Sequence, residues 1–243
     1  MQQWNEIYKI RVSRKVIKML FNRNEPTIGK SIEQPSQELI KNTLGLHNAS
    51  LEDALKYGGE LTRQAIGAMD LQFTKKNIIV DTKIHMLLPG MCPAIPGWHN
   101  DGVPRGNSLD PTIKKQPNIH AQEEMDSPIF HLLVTGESCR TRFVKERNID
   151  LEVPDEPSSK LYEMVSNQIE NKLKRNQLTS YDAPGCTAIM WDWWEVHTGT
   201  FAKSHEWRFL IRVTESDIQE PKTDLRDIIR TQQQGYMPIN FGW

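Results

Sequence analysis

This 243-residue sequence has few cysteines, no surplus of charge of either sign, and no long hydrophobic run. The three cysteines, Cys92, Cys139 and Cys186, are odd in number and widely spaced, and none forms a CxxC pair. A disulfide scaffold is therefore excluded as the organising principle, and three inert thiols in a reducing compartment are expected. Thirty Lys and Arg against 31 Asp and Glu leave a formal charge of −1, which provides no global field to collect phosphate backbones. Only a local basic patch, such as Arg105 with Lys114 and Lys115, is compatible with that balance. No apolar stretch approaches the length needed to cross a bilayer, and the opening MQQWNEIYKIRVSRKVIKML lacks the apolar segment of a signal peptide. A cytoplasmic protein without a membrane partner is expected. Internal repeats and low-complexity tracts are also missing. A chain of this size can bury a large core unaided, so a bound metal would serve chemistry before architecture.

The hydrophobic pattern divides the chain into three parts of one expected domain. Residues 1–77 read as mainly helical. Pro35 and Ser36 open SQELIKNTL, and Ser50 with Glu52 and Asp53 starts a second helix, weakened in its middle by Gly58-Gly59. From Ile78 the period becomes two: Ile78, Val80, Thr82, Ile84, Met86 and Leu88 share one side of a strand ended by Pro89-Gly90. Further strands are predicted at 129–134, 140–145, 187–191 and 207–214. The four-residue spacing of Leu161, Val165, Ile169 and Leu173 predicts an amphipathic helix within 158–175. Residues 102–117 and 148–157 read as surface loops, and 215–243 as a tail that either docks or is disordered. Helices followed by many strands without a βαβ rhythm predict a mainly β fold with helical buttresses, an antiparallel sandwich or barrel.

Seven histidines are present, and only His99 has an acid two residues on, in Pro96-Gly97-Trp98-His99-Asn100-Asp101-Gly102. In extended chain, residues i and i+2 point the same way, so His99 and Asp101 can offer nitrogen and oxygen to one ion. Alone the pair means little, because it arises by chance in roughly a fifth to a third of chains this long. Its company is more informative. A turn at Pro184-Gly185 leads through a strand to His197 beside a second turn, and the strand after that reads Trp207-Arg-Phe-Leu-Ile-Arg-Val-Thr214. There Trp207, Phe209, Ile211 and Val213 form an apolar face, while Arg208, Leu210, Arg212 and Thr214 form the other. Two arginines facing a pure hydrocarbon core would be very costly, so that face is expected to meet water or anions.

These residues resemble the Fe(II)- and 2-oxoglutarate-dependent dioxygenases, whose double-stranded β-helix, a jelly-roll or cupin-like core, carries an HxD…H triad followed by an arginine. The resemblance spans roughly residues 78–214 and implies His99, Asp101 and His197 as iron ligands. It further implies Arg208, eleven residues beyond His197, as the partner of the 2-oxoglutarate C5 carboxylate. Fe(II), 2-oxoglutarate and O₂ are the implied cofactors, with succinate and CO₂ as coproducts of a hydroxylation. Arg212 lies four strand residues further, about 13 Å along the same face. It is expected either to bind an acidic group on the substrate or to pair with a protein carboxylate, the second being favoured.

Trp98 and Arg105, with the segment Val103-Pro104-Arg105-Gly106, are further substrate-side candidates. Strand alternation would put Trp191, Trp193 and Glu195 on the side of His197 and Trp194 on the other, with core packing the default for tryptophan. His131 competes with His197, because Arg142 follows it at the same spacing of eleven, although it leaves little room for intervening strands. For His47, His85, His120 and His205 a surface or satisfied core role is the default. Two other classes fit the same residues: a zinc hydrolase using His, Asp and His around a bound water, and a non-enzymatic cupin-like binding domain. A small molecule is the expected substrate, with a nucleotide or a macromolecular residue as the alternative.

Overall fold

The alternation read around Trp207 extends further than expected. In the computed structural model, which describes residues 15–106 and 115–230, an eleven-residue strand runs from Glu206 to Ser216. In chain order the elements are β1 (Val16–Phe21), β2 (Thr27–Ser31), α1 (Gln37–Lys41), β3 (Gly45–Ser50), α2 (Leu51–Tyr57), α3 (Gly59–Ala68) and β4 (Asn77–Leu87). A 3₁₀ turn at Ile119–Glu123 precedes β5 (Ile129–Val134), β6 (Thr141–Val144), β7 (Ile149–Pro154) and α4 (Leu161–Lys174). The chain continues through β8 (Ser180–Asp182), β9 (Thr187–Asp192), β10 (His197–Gly199), β11 (Glu206–Ser216), α5 (Leu225–Ile228) and β12 (Ile229–Arg230). Strand predominates over helix, and every strand pair among the described residues is antiparallel.

Seven strands form the largest sheet, in the order β12-β3-β4-β11-β5-β9-β2. β11 lies at its centre, paired with β4 along its full length and with β5 on the other edge. One face carries Phe209, Ile211, Val213, Val80 and Ile84 into a core completed by Leu61, Ala65 and Ile66 of α3. Burying such side chains contributes about 1.5–3 kcal/mol each, which fixes the register and forces the alternate residues to the opposite face. There the cross-strand pairs are Arg208 with His85, Leu210 with Lys83 and Arg212 with Asp81. A three-stranded sheet, β10-β6-β8, and the pair β1-β7 complete the β structure. Helix α4 lays Leu161, Val165 and Ile169 into a second core with Leu151 and Val153 of β7.

Both predicted helix starts carry the expected caps. The Ser36 hydroxyl accepts from the Leu39 N–H and the Ser50 hydroxyl from the Asp53 N–H, at 3.1 and 3.0 Å, and Gly58-Gly59 separates α2 from α3. The expectation for the first 77 residues needs correction, since three strands share them with three helices. The segment read as a loop at 148–157 is mostly strand β7, paired with β1. Residues 1–14, 107–114 and 231–243, including Lys114 and the last 13 residues of the expected tail, lie outside the described residues. No helix among the described residues is long and apolar enough to cross a membrane.

Candidate metal centre

Backbone pairing brings the distant histidines together. The His99 N–H donates to the His197 carbonyl and the His197 N–H to that of His99, both at 2.9 Å, so the two residues form an isolated antiparallel bridge. β10 in turn pairs with β6, His197 lying opposite Phe143. Asp101 follows two residues after His99, held by a turn that demands glycine next. Gly102 has φ +76°, and a Cβ there would stand 2.7 Å from the Phe130 ring. His99, Asp101 and His197 thus present donor atoms that all lie within 4.8 Å of one another, an arrangement able to hold a metal ion.

Hydrogen bonding fixes which imidazole nitrogen is available. His99 Nδ1 lies 2.9 Å from the Gly97 carbonyl and His197 Nδ1 lies 3.1 Å from the Glu195 carbonyl. A carbonyl only accepts, so each Nδ1 carries a proton and Nε2 is the nitrogen turned toward Asp101 and a ligand. The Nε2 atoms of His99 and His197 approach the Asp101 carboxylate at 4.0 and 3.5 Å. Burial and the neighbouring His197 push the His99 pKa down to about 4, which keeps its imidazole neutral. Burial alone would raise the Asp101 pKa, but the His197 contact and the Arg212 guanidinium overcome it and hold the carboxyl well below the usual range.

The wall opposite comes from the seven-stranded sheet. Residues of β3, β4, β5, β9 and β11 join those of β6 and β10 in lining one cavity of about 320 Å³. Arg208 is 3 % exposed; its Nε donates to the Cys139 carbonyl at 2.9 Å, and its Nη1 is buried with no hydrogen-bond partner. It forms no ion pair with any described residue. A buried guanidinium left this way is costly, and an anion in the cavity would satisfy it. Beside it His85, 5 % exposed, has its pKa lowered to about 3 by burial and by the Arg208 charge. Leu132, Trp191 and Leu210 supply the apolar part of the lining.

No family model matches this chain, and a comparison with curated proteins found no match. The geometry therefore stands on its own residues.

Arg212 meets the expectation of a protein carboxylate partner: it reaches Asp101 at 3.3 Å and Asp81 at 3.6 Å. His131 is removed as a competitor, because its Nε2 lies 2.8 Å from the buried Glu215 carboxylate, outside the cavity lining. Arg142 is likewise taken by Asp182, at 2.6 Å. Trp98 is a correction. It is 3 % exposed, donates through Nε1 to Glu170 at 2.8 Å and lies in the core, so it supports the ligand loop from behind. The alternation proposed for 191–195 also fails, since Trp193-Trp194 forms a turn closed by the Asp192 side chain on the Trp194 N–H. Trp191 packs its ring 5.3 Å from that of His197, whereas Glu195 pairs with Arg147 at 2.9 Å.

Arg105 is exposed and lines a second cavity that adjoins the first. Of the remaining histidines, His205 is exposed, and His120 lies 2.9 Å from the Pro154 carbonyl. His47 lies 3.1 Å from Asp81 at the cavity edge. The three cysteines are free and buried. Sequence reasoning missed Asp81, Lys83 and His85, although their signal was present as the polar alternates of the apolar face of β4.

Proposed function

We propose that this chain is a non-haem Fe(II)- and 2-oxoglutarate-dependent dioxygenase with a double-stranded β-helix core, hydroxylating a small molecule. One observation carries the reading: a buried arginine with an unsatisfied N–H shares a cavity with a His, Asp, His donor set. Two neutral imidazoles and one carboxylate suit a non-haem iron site with open positions, whereas a structural zinc site is closed by four ligands. Arg208 suits a carboxylate, because its planar fork makes charge-assisted hydrogen bonds that a point charge does not.

His99, Asp101 and His197 would hold the iron, and Arg208 would grip the far carboxylate of 2-oxoglutarate. When bound, iron and 2-oxoglutarate would supply, with O₂, the oxidising power for hydroxylating a substrate carbon, with succinate and CO₂ as coproducts. The chain's own contribution is positional. Gly97 and Glu195 carbonyls set the imidazole tautomers, Arg212 holds the Asp101 carboxylate, and Leu132, Trp191 and Leu210 keep water from the reacting region.

The test is succinate release from 2-oxoglutarate with purified protein. Turnover requiring both Fe(II) and O₂, abolished by a chelator and in His99→Ala and Asp101→Ala, is the expected result. Hydrolytic activity supported fully by zinc under nitrogen would replace the proposal with a hydrolase.

A further inference from the structure

The space beside the candidate metal centre has two chambers, and their charges are not balanced in the same way. The inner one holds Arg208 and Arg212; the outer one, about 560 Å³, is lined by Lys83, Ile95, Val103, Arg105 and Tyr162. His99, Asp101 and Lys83 line both, so an occupant of the outer chamber abuts the triad directly. Both volumes lie in the range of small-molecule sites.

Each arginine of the inner chamber has an assigned partner. Arg212 is held by Asp101 and Asp81, and Arg208 faces the region where the preceding proposal puts the cosubstrate carboxylate. Lys83 and Arg105 are different. Neither forms an ion pair with a described residue, and Arg105 donates through Nη1 to the Lys115 carbonyl at 3.2 Å. Among the described residues, the one carboxylate lining the outer chamber is Asp101, already engaged by His197 and Arg212. Partial burial and the nearby Arg212 charge push the Lys83 pKa below the ordinary lysine value, although its side chain reaches solvent at the mouth. A bound anion would relieve that strain. Pro93, Ala94, Ile95 and Val103 give the chamber an apolar part for an aliphatic segment, and Asn100 and Tyr162 are its uncharged hydrogen-bonding side chains.

We propose that the outer chamber is the prime-substrate subsite and that Lys83 and Arg105 select a small organic anion with a short aliphatic segment. The anionic end, a carboxylate or a phosphate monoester, sits between the two cations. The aliphatic carbon next to it then meets the His99 and Asp101 edge. This inference rests on the oxygenase reading for what happens at that carbon, but not for the binding itself.

The probes are hexanoate, hexyl phosphate and the neutral isostere hexanamide. They are titrated calorimetrically into the full chain under nitrogen, with Fe(II) and saturating 2-oxoglutarate. At least one anion is expected to bind, with hexanamide tenfold weaker or worse, and the tighter anion identifies the headgroup. Lys83→Met and Arg105→Met are each expected to weaken that anion tenfold or more. These residues lie on separate elements and are exposed, and unchanged melting temperatures verify folding. Equal binding of hexanamide, no binding of either anion, or affinity that survives both substitutions would overturn the assignment. A separate titration of 2-oxoglutarate into the Fe(II)-loaded chain, with the anion titration repeated in its absence, separates the two claims. If 2-oxoglutarate fails to bind while the anion still depends on Lys83 and Arg105, the oxygenase reading falls and the anion subsite stands.

Discussion

At position 208 a single guanidinium carries opposite consequences for folding and for ligand binding. Its burial without a carboxylate destabilises the ligand-free protein, since desolvation is offset by one carbonyl contact only. The same unsatisfied N–H makes it a strong anion anchor. Arg208→Met is therefore expected to weaken 2-oxoglutarate binding by about 2–4 kcal/mol, while thermal stability of the ligand-free protein stays equal or rises. Calorimetric titration beside a melting curve measures both. A parallel loss of stability and binding would mean that Arg208 is structural. Arg212 is the contrast: four residues on, it is neutralised by two carboxylates. The strand pattern placed both arginines on one face, but not their partners, because Asp81 and Asp101 come from other segments of the chain.

Elements were legible where apolar side chains recur at a regular period. Val80, Ile84 and Met86 alternate with Asp81, Lys83 and His85 in β4, Trp207, Phe209, Ile211 and Val213 with Arg208 and Arg212 in β11, and α4 shows a four-residue apolar stripe, so their type is read directly. β7 has the same alternation, with Ile149, Leu151 and Val153 buried between Asp150 and Glu152, but over a short span flanked by Asn148 and Pro154. β2 is an edge strand whose residues are mostly exposed, so no core imposes a pattern on it. The 191–195 alternation failed for a local reason, the Asp192 side chain closing a turn that reverses the phase. At this scale the decisive link in the site is the turn after Asp101. Gly102→Ala combines a left-handed φ with a Cβ 2.7 Å from the Phe130 ring. A loss of about 1–3 kcal/mol in stability is expected, with weaker Fe(II) binding because Asp101 is displaced. Urea unfolding with a metal titration checks it; wild-type values in both would show that the loop adapts without moving the carboxylate.

Across the molecule, the site exists only because two sheets line one cavity. The His99 and His197 bridge belongs to one side and Arg208 with His85 to the other, so strand periodicity alone did not bring them together, and the family resemblance implied the meeting of the triad with Arg208 but not with His85. The same enclosure links stability to pH. His85 is 5 % exposed, beside Arg208, with a pKa of about 3 in place of 6.5. The folded chain thus binds fewer protons at this site than the unfolded chain between those values. Its stabilising contribution is complete above about pH 6.5 and is lost as pH falls toward 3. A shift of this size caps the effect at roughly 5 kcal/mol. Glu215 acts with the same sign but lower: burial opposes ionisation, yet the His131 contact and the Gln72 and Phe73 N–H groups depress its pKa, so it matters only below the ordinary carboxylate range. Two more groups act in the window from pH 6.5 to 5: His99, lowered to about 4 by burial and by His197, has the sign of His85, and Glu195, which burial raises to about 7, has the opposite sign and partly offsets them. In metal-free protein, urea midpoints are expected to fall across that window, and His85→Gln, which cannot take up a proton, is expected to flatten the fall. An identical slope in the variant would mean that His85 reaches solvent freely and that the cavity wall around Arg208 is open.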